Sequence, residues 1–343
     1  MTETTTKPTT RRTTGAKKAT SAKKTTSETI NKQEVQELVN NQIEESQEQT
    51  ELTVGVIAVD NGGENVKVFS ETMDNPIHFG SAKAKGKKKD LLDPILPPEL
   101  HSYVVEWKDK IYLTNYRVTQ SKYGMTGFKD SKKDDFFVLS TLIAVAKYGY
   151  DINYLCTSIP FKNWNETECD ALEELYIGEH DIIIDTVPYH FEIAGVLVVA
   201  EAQAGHKHLQ VEGKSTLLEI GSRTVGFATN MLETKDGKKV TDFPIREKSG
   251  TLPRKGLTIS NVTDEEYEDY TSDIYAEISD IIDENDKVVA FGGGVLNEEI
   301  KKGLANEFKN ITFADDPLYV QVRGMLEEGL EAFADDEEEV DAE

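Results

Sequence analysis

Residues 57–67 are Ile57-Ala58-Val59-Asp60-Asn61-Gly62-Gly63-Glu64-Asn65-Val66-Lys67, an apolar strand that ends in an acid, then a glycine turn and a returning strand. Glycine suits such a turn when backbone N–H groups must approach phosphate oxygens closely, because a Cβ atom would obstruct them. Asp60 is suited to hold the water shell of Mg²⁺, which prefers carboxylates and retained waters. The segment therefore predicts either a phosphate-binding hairpin or an ordinary β-hairpin with an Asn-Gly turn.

The same order of features recurs about 160 residues later, in Leu217-Leu218-Glu219-Ile220-Gly221-Ser222-Arg223-Thr224-Val225-Gly226. Two such hairpins that face one another can clamp a polyphosphate from both sides, so the repetition predicts a duplicated unit with a cleft between the copies. The candidate phosphate-binding residues are Asp60, Asn61, Gly62, Gly63, Glu64, Asn65 and Lys67 in the first hairpin, and Glu219, Gly221, Ser222, Arg223 and Thr224 in the second.

A third glycine-rich turn follows the apolar strand Val288–Phe291 and consists of Gly292, Gly293 and Gly294. These glycines allow the backbone to lie against a flat adenine and ribose, and the helix that follows presents its N-terminus to negative charge. A triple glycine alone is more often a loop than a binding site. Three such turns in this order, each directly after an apolar strand, are much more specific.

Strands and helices alternate between about Glu51 and Ala334, which indicates an α/β fold. Helical spacing predicts helices at Phe136–Tyr148, Glu166–Tyr176, Glu265–Ile282, Asn297–Glu307 and Asp316–Ala334. Short strands are predicted at Leu155–Ile159, Ile182–Asp185, Phe191–Ile193 and Val196–Val199. The lysine-rich segment Lys83–Lys89 is predicted to be a mobile loop.

The two ends of the chain differ from this central part. Residues 1–50 form a basic, Thr- and Lys-rich tail that we expect to be disordered, with a possible short helix at residues 31–45. Residues 335–343 are an acidic tail with too much self-repulsion to fold. The basic tail is open to three interpretations: non-specific binding to DNA phosphates, screening of the acidic body, or tethering to a partner.

Composition restricts the function further. The 343 residues carry a formal net charge of -25, which argues against a body that wraps nucleic acid. No run of 18 apolar residues is present, so we expect no membrane partner. The two cysteines, Cys156 and Cys169, are interpreted as reduced thiols of a cytoplasmic protein.

Taken together, the three turns resemble the motifs of the actin-like ATPases, and most closely the ParM and AlfA group of bacterial actins that segregates plasmids. Residues 60–67 are similar to the first phosphate motif, residues 219–224 to the second, and residues 292–294 to the adenosine motif. Two further matches are Thr157-Ser158-Ile159-Pro160 and the closing helix segment Tyr319-Val320-Gln321-Val322-Arg323-Gly324-Met325.

The resemblance implies a duplicated, ribonuclease H-like, two-domain ATPase fold. Its domain I would span residues 51–200 together with 313–334, and its domain II residues 201–312. ATP or ADP and Mg²⁺ would be bound, with Asp60 and Glu219 holding the metal through water. In this family a Glu or Gln at a strand end aligns the attacking water, a role for which positioning suffices. The matching residue is Glu201, with Gln203 as the second candidate, and the alternative is that Glu201 faces solvent at a helix start.

Two departures from the family pattern are visible. Glu219 stands where the family usually has Asp, which leaves a non-catalytic scaffold possible. Only 71 positions separate Gly221 from Gly292, so the second small subdomain is expected to be reduced or absent, as in AlfA-type actins. In its place Lys248, Arg254 and Lys255 are candidate nucleotide contacts.

Besides that non-catalytic scaffold, three functions remain open from the sequence. The first is a filament of identical subunits that ATP assembles and hydrolysis destabilises, with a DNA-bound adaptor of the ParR type as partner and plasmid or other extrachromosomal DNA as cargo. The second is a small-molecule kinase, which shares the phosphate hairpins but usually needs larger insertions for its substrate pocket. The third is a chaperone-like ATPase, although no substrate-binding β-domain follows Ala334.

Overall fold

The structure is a computed structural model that describes residues 52–120, 132–235, 238–242, 248–253 and 262–334. Several predictions fall outside these residues: the basic tail with its possible helix, the acidic tail, and the proposed contacts of Arg254 and Lys255. Among the described helices, none combines the length and the apolar character needed to cross a bilayer.

The first half of the described chain forms a nine-stranded sheet in the order β3-β2-β1-β7-β9-β8-β5-β6-β4. Its strands are β1 (Val54–Asn61), β2 (Asn65–Ser70), β3 (Ile77–Gly80), β4 (Lys83–Lys85), β5 (Val104–Trp107), β6 (Lys110–Thr114), β7 (Ile152–Ile159), β8 (Gly178–Ile184) and β9 (Val187–Ala200). Three helices accompany it: α1 (Tyr116–Gln120), α2 (Asp135–Tyr148) and α3 (Glu166–Tyr176).

The second half forms a sheet in the order β12-β11-β10-β14-β15, with β13 paired to β11. Its strands are β10 (Gly213–Ile220), β11 (Thr224–Lys235), β12 (Lys238–Asp242), β13 (Gly250–Pro253), β14 (Lys287–Phe291) and β15 (Ile311–Phe313). The helices are α4 (Gly205–Leu209), α5 (Asp264–Ile278), α6 (Glu298–Glu307) and α7 (Val320–Ala332).

The two sheets repeat one topology, which confirms the predicted duplication. In the first sheet β1 pairs antiparallel with β2 and parallel with β7, and β7 pairs parallel with β9. In the second, β10 pairs antiparallel with β11 and parallel with β14, and β14 pairs parallel with β15. Between β11 and α5 the described residues form only β12 and β13, which agrees with a reduced second small subdomain.

Helices cover both faces of the first sheet. On one face α2 and α3 pack with the inward side chains of β1, β7 and β9. On the other face α7 contributes Val322, Met325 and Leu326, which pack on Val56 and Cys156. The second sheet buries one face under α5 and α6. The parallel strands are therefore apolar along nearly their whole length, as expected for strands buried on both faces.

Side-chain caps explain where four of the helices begin. Asp134 accepts a backbone N–H at the start of α2, Asn165 at the start of α3, and Asn297 at the start of α6. Thr263 and Glu266 form a capping box at the start of α5. Each cap satisfies a donor that the first helical turn leaves without an intrahelical partner.

Four local predictions were wrong. The helix predicted at Glu265–Ile282 ends at Ile278, as α5. Residues 191–193 and 196–199 belong to one strand, β9, because a register shift against β7 at Asn153 and Tyr154 absorbs the interruption. The last helix begins at Val320 instead of Asp316. Lys83 lies in a strand paired with β6 instead of a mobile loop, and it is 2% exposed, because its ammonium finds acceptors at the Ser81 carbonyl and the Ser140 hydroxyl.

Candidate functional site

The two acid-glycine hairpins have the same register and the same turn. Asp60 stands opposite Lys67 across the first ladder, and Glu219 stands opposite Gly226 across the second. The N–H of Gly62 donates to the carbonyl of Asn65 at 2.9 Å, and that of Gly221 to the carbonyl of Thr224 at 3.0 Å. The two hairpins are therefore equivalent in strand pairing and also in the hydrogen bond that closes each turn.

Glycine is required at the first position of both turns. A Cβ atom on Gly62 would lie 2.8 Å from the Asn65 carbonyl oxygen, and one on Gly221 would lie 2.9 Å from that of Thr224. Both distances are shorter than real Cβ atoms adopt, and the obstructing atom is backbone in each case. Glycine at these two positions is thus explained by the shape of the turns themselves, which leaves no space for a Cβ atom.

The two turns face one another directly. A Cβ atom on Gly63 would meet the Arg223 side chain at 2.4 Å and the Ser222 hydroxyl at 3.0 Å. Arg223 therefore lies over the first turn, although it belongs to the second. The structure brings together the residues that the sequence places about 160 positions apart.

The triple glycine packs against the second turn. Gly292 has a φ of 94° and donates its N–H to the Pro317 carbonyl at 2.7 Å. A Cβ atom there would lie 2.7 Å from the Ile220 carbonyl oxygen, and one on Gly294 would lie 2.1 Å from the Ile220 side chain. Gly293 is roomier, since its Cβ would meet only a leucine methyl at 3.7 Å. The three predicted turns therefore lie beside one another.

Hydrogen bonds from neighbouring elements fix the first turn. The Ser81 hydroxyl donates to the Gly63 carbonyl at 2.7 Å, and the Ser81 N–H donates to the Glu64 carbonyl at 2.8 Å. The Asn61 amide donates to the carbonyl of Phe137 in α2 at 2.6 Å. Its amide oxygen is buried and has no hydrogen-bond partner among the described residues. An unsatisfied buried acceptor needs a hydrogen-bond donor, which a water molecule, including one bound to a metal ion, would supply.

A buried ion pair lies beneath the turns. The Lys67 ammonium is 2.6 Å from an Asp60 carboxylate oxygen, and the Ser158 hydroxyl donates to the other oxygen at 3.2 Å. Burial opposes ionisation of Asp60, but Lys67 and Lys132 outweigh it and hold the pKa of the carboxyl below its usual value. Burial likewise opposes the charge of Lys67, but Asp60 and Glu219 raise its pKa. Both groups are therefore charged at neutral pH.

Glu219 has the opposite electrostatic character. Its carboxylate accepts the Ala202 N–H at 3.1 Å. Burial of the carboxyl, together with the charges of Asp60 and Glu201, raises the pKa of Glu219 to about 8. Ionisation of Glu219, which would add a third negative charge beside Asp60 and Glu201, is thus unfavourable unless a further cation binds. A divalent ion between Asp60 and Glu219 would supply that cation, so this donor set fits Mg²⁺ held partly through water.

The geometry at Glu201 excludes the solvent-facing alternative. Glu201 follows the last residue of β9, is 9% exposed, and donates its N–H to the Ile159 carbonyl at 2.8 Å. Gln203 is half-buried two residues further on, and its side-chain oxygen is buried without a hydrogen-bond partner among the described residues. Both candidates for the water-aligning role therefore lie at the strand end, before α4 begins at Gly205.

Sequence reasoning missed Lys132. This residue lies just before α2, and its ammonium is 3.1 Å from a Glu201 carboxylate oxygen. It also donates a hydrogen bond to the carbonyl of Asn61, in the first turn. No motif links position 132 to position 201. The one available signal was the charge balance, since three carboxyls (Asp60, Glu201 and Glu219) gather around the single predicted lysine.

A cavity of about 430 Å³ opens beside this cluster. Its lining includes Lys132, Ile159, Pro160, Lys162, Asn163 and Leu172. Lys132 thus belongs both to this cavity and to the ion-pair cluster, and the cavity is also lined by Ile159 and Pro160 from the predicted Ile-Pro strand end.

The remaining polar candidates do not join the site. His206 is bonded to the Ala228 carbonyl at 3.0 Å and burial lowers its pKa to about 4, while His208 pairs with Glu327 at 2.8 Å. Lys248 pairs with Asp283 at 2.9 Å. Over the part of the chain that the structure describes, no group of three or more His, Cys, Asp or Glu is arranged to hold a metal ion.

No model of a known protein family matches the sequence, and no curated protein sequence matches it. Solved structures do match in fold. An AlfA filament bound to AMPPNP is 17% identical, with a TM-score of 0.59, over 84% of this chain and 99% of the other. AlfA from the B. subtilis plasmid pLS32 is 18% identical, with a TM-score of 0.60, over 79% and 98%.

A 15-stranded ParM filament from Clostridium botulinum is 14% identical, with a TM-score of 0.63, over 82% of this chain and 100% of the other. Each comparison covers nearly the whole of the solved chain and about four fifths of this one, so the likeness extends over both sheets. The chain therefore has the actin-like fold of the ParM and AlfA structures.

Proposed function

We propose that this chain binds Mg-ATP at the three converging turns and hydrolyses it to ADP and phosphate. The observation that carries the proposal is the contact between the two acid-glycine turns in matching register, with the triple glycine packed on the second of them. The AlfA filament of similar fold is bound to AMPPNP, an ATP analogue, which supports a nucleotide as the ligand.

Each group at the site receives one role in this proposal. The two turns, residues 60–65 and 219–224, hold the phosphates from opposite sides, with Lys67 as their buried cation. Asp60 and Glu219 hold Mg²⁺ through water, and the magnesium ion supplies charge neutralisation for the triphosphate. Gly292, Gly293 and Gly294 accept the adenosine. Glu201 aligns the attacking water, with Gln203 as the second candidate, because phosphoryl transfer depends mainly on positioning and charge.

We infer further that nucleotide binding controls self-assembly. Similar solved structures include filaments of AlfA and ParM, which supports a homopolymer as the working form. A ligand held between two lobes biases their closure and so the contacts between subunits. The lobes proposed are domain I, residues 51–200 with 313–334, and domain II, residues 201–312. The proposed setting is the cytoplasm, where a DNA-bound adaptor of the ParR type would connect the filament to a plasmid or other extrachromosomal DNA.

Sedimentation and light scattering test this assembly. Addition of Mg-ATP to the full chain is expected to produce polymer that pellets, whereas the same protein without nucleotide should stay in the supernatant. The matched control is Asp60→Ala, which removes the proposed magnesium carboxylate and should give no polymer with Mg-ATP. A wild-type chain that hydrolyses ATP but never scatters light would contradict the filament and leave the kinase alternative.

A further inference from the structure

Lys132 is a cation at the site for which neither hairpin motif provides a role. Its side chain is 15% exposed and lies 3.1 Å from the Glu201 carboxylate. The ammonium also bonds the Asn61 carbonyl and sits 5.5 Å from the centre of the Phe137 ring. It therefore joins the first phosphate turn to the residue proposed to align water.

The two lysines of the site are held differently. Lys67 projects from the middle of the β1–β2 ladder and is buried against Asp60 at 2.6 Å. Lys132 projects from the turn before α2, outside the sheet. Since a side chain on a turn can change partners without disturbing a strand ladder, Lys132 is the one of these two lysines that is able to move when charge in the site changes.

The charge balance indicates which ligand would move it. Lys67 lies 2.6 Å from the Asp60 carboxylate and Lys132 lies 3.1 Å from the Glu201 carboxylate, so each of these carboxylates has one lysine beside it. A magnesium-bound triphosphate adds about two negative charges, and the oxygens of its terminal phosphate can accept charge-assisted hydrogen bonds from an ammonium group. A diphosphate lacks that terminal group and leaves Lys132 with its present partner.

We propose that Lys132 detects the terminal phosphate of a bound nucleoside triphosphate. Without nucleotide its ammonium holds the Glu201 carboxylate and the Asn61 carbonyl. With a triphosphate present, the ammonium contacts the terminal phosphate, and Glu201 is freed to accept a hydrogen bond from the attacking water. Lys132 is then the residue that distinguishes ATP from ADP. This inference rests on the nucleotide site proposed above.

Calorimetric titration of Mg-AMPPNP and of Mg-ADP into the full chain tests this role. Lys132→Ala is expected to weaken AMPPNP binding about tenfold or more, the size of one charge-assisted hydrogen bond, and to change ADP binding less than about threefold. Lys132→Arg should restore part of the preference for AMPPNP. The matched control is Lys133→Ala, which removes the neighbouring lysine that pairs with Glu168 at 2.8 Å and should leave both affinities unchanged.

The outcomes separate two kinds of failure. Equal losses for AMPPNP and ADP in Lys132→Ala, with a normally binding wild-type chain, would overturn the role of Lys132 alone. A wild-type chain that binds neither nucleotide would overturn the proposed site and this inference with it. If the alanine variant does not fold, Lys132→Gln, which keeps most of the side chain's length, takes its place. The loss of AMPPNP affinity is again compared with the loss of ADP affinity.

Discussion

Replacement of Gly324 by alanine is expected to lower the melting temperature by about 10 °C. A Cβ atom on Gly324 would lie 1.8 Å from the carbonyl oxygen of Ala204 and 2.6 Å from its carbonyl carbon. Backbone cannot rotate away as a side chain can, so α7 or the start of α4 must shift. We expect the free energy of unfolding to fall by about 3 kcal/mol or more, which is at the upper end of the range for overpacked sites. Differential scanning calorimetry measures the change.

The control for this prediction is Gly293→Ala. There a Cβ atom would make only an ordinary contact of 3.7 Å with Leu318, so the melting temperature should change by less than about 3 °C. A Gly324→Ala variant as stable as the wild type would show that α7 does not approach Ala204 this closely. Because Ala204 lies three residues after Glu201, the same contact positions the strand end at which the proposed water-aligning residue stands.

Replacement of Glu201 by alanine is expected to slow ATP hydrolysis about a hundredfold or more, while Mg-ATP still assembles the polymer. Lys132 contacts both Glu201 and the carbonyl of Asn61, so Glu201 lies close to the first turn. Removal of a group that positions water costs about 3 kcal/mol of transition-state stabilisation, which corresponds to about a hundredfold in rate. Binding of the triphosphate should persist, because Asp60, Lys67 and both turns are unchanged. Phosphate release and light scattering, recorded on the same sample, measure the two effects separately.

Gln203→Ala provides the comparison for Glu201. Its side-chain oxygen is buried without a partner among the described residues, so the variant removes a polar group from the same strand end without touching the Lys132–Glu201 pair. Turnover should stay within about threefold of the wild type, as expected for a group outside the reaction. Rapid turnover in Glu201→Ala together with slow turnover in Gln203→Ala would assign the role to Gln203.

Local sequence was sufficient for the hairpins and for most helices. In β1–β2 and β10–β11 the apolar run, the acid and the glycine fix the register together, because a slip of one residue would move every side chain to the other face. Helices such as α3 and α6 begin next to capping residues that the sequence displays, Asn165 and Asn297. The repeated hairpin also predicted that the two acid-glycine turns face one another, because a duplicated unit places equivalent turns at equivalent positions in its two copies.

The rest of the site depends on contacts between distant segments, which spacing does not encode. Lys132 and Glu201 meet at 3.1 Å across 69 positions, and only the packing of α2 against the first sheet brings them together. Lys83 carries a charge that favours a solvated loop, yet its strand pairs with β6 and burial lowers the pKa of its ammonium to about 7. In both cases the tertiary environment overrides the local preference of a lysine.

The central claim is that two acid-glycine turns and a triple glycine form a single nucleotide site. Isothermal titration of Mg-ADP and Mg-AMPPNP into the purified chain tests it most directly. We predict saturable heat with one site per chain and dissociation constants below about 1 mM, the range within which nucleotide-using enzymes ordinarily bind. The absence of heat for both nucleotides at millimolar concentration would contradict the claim.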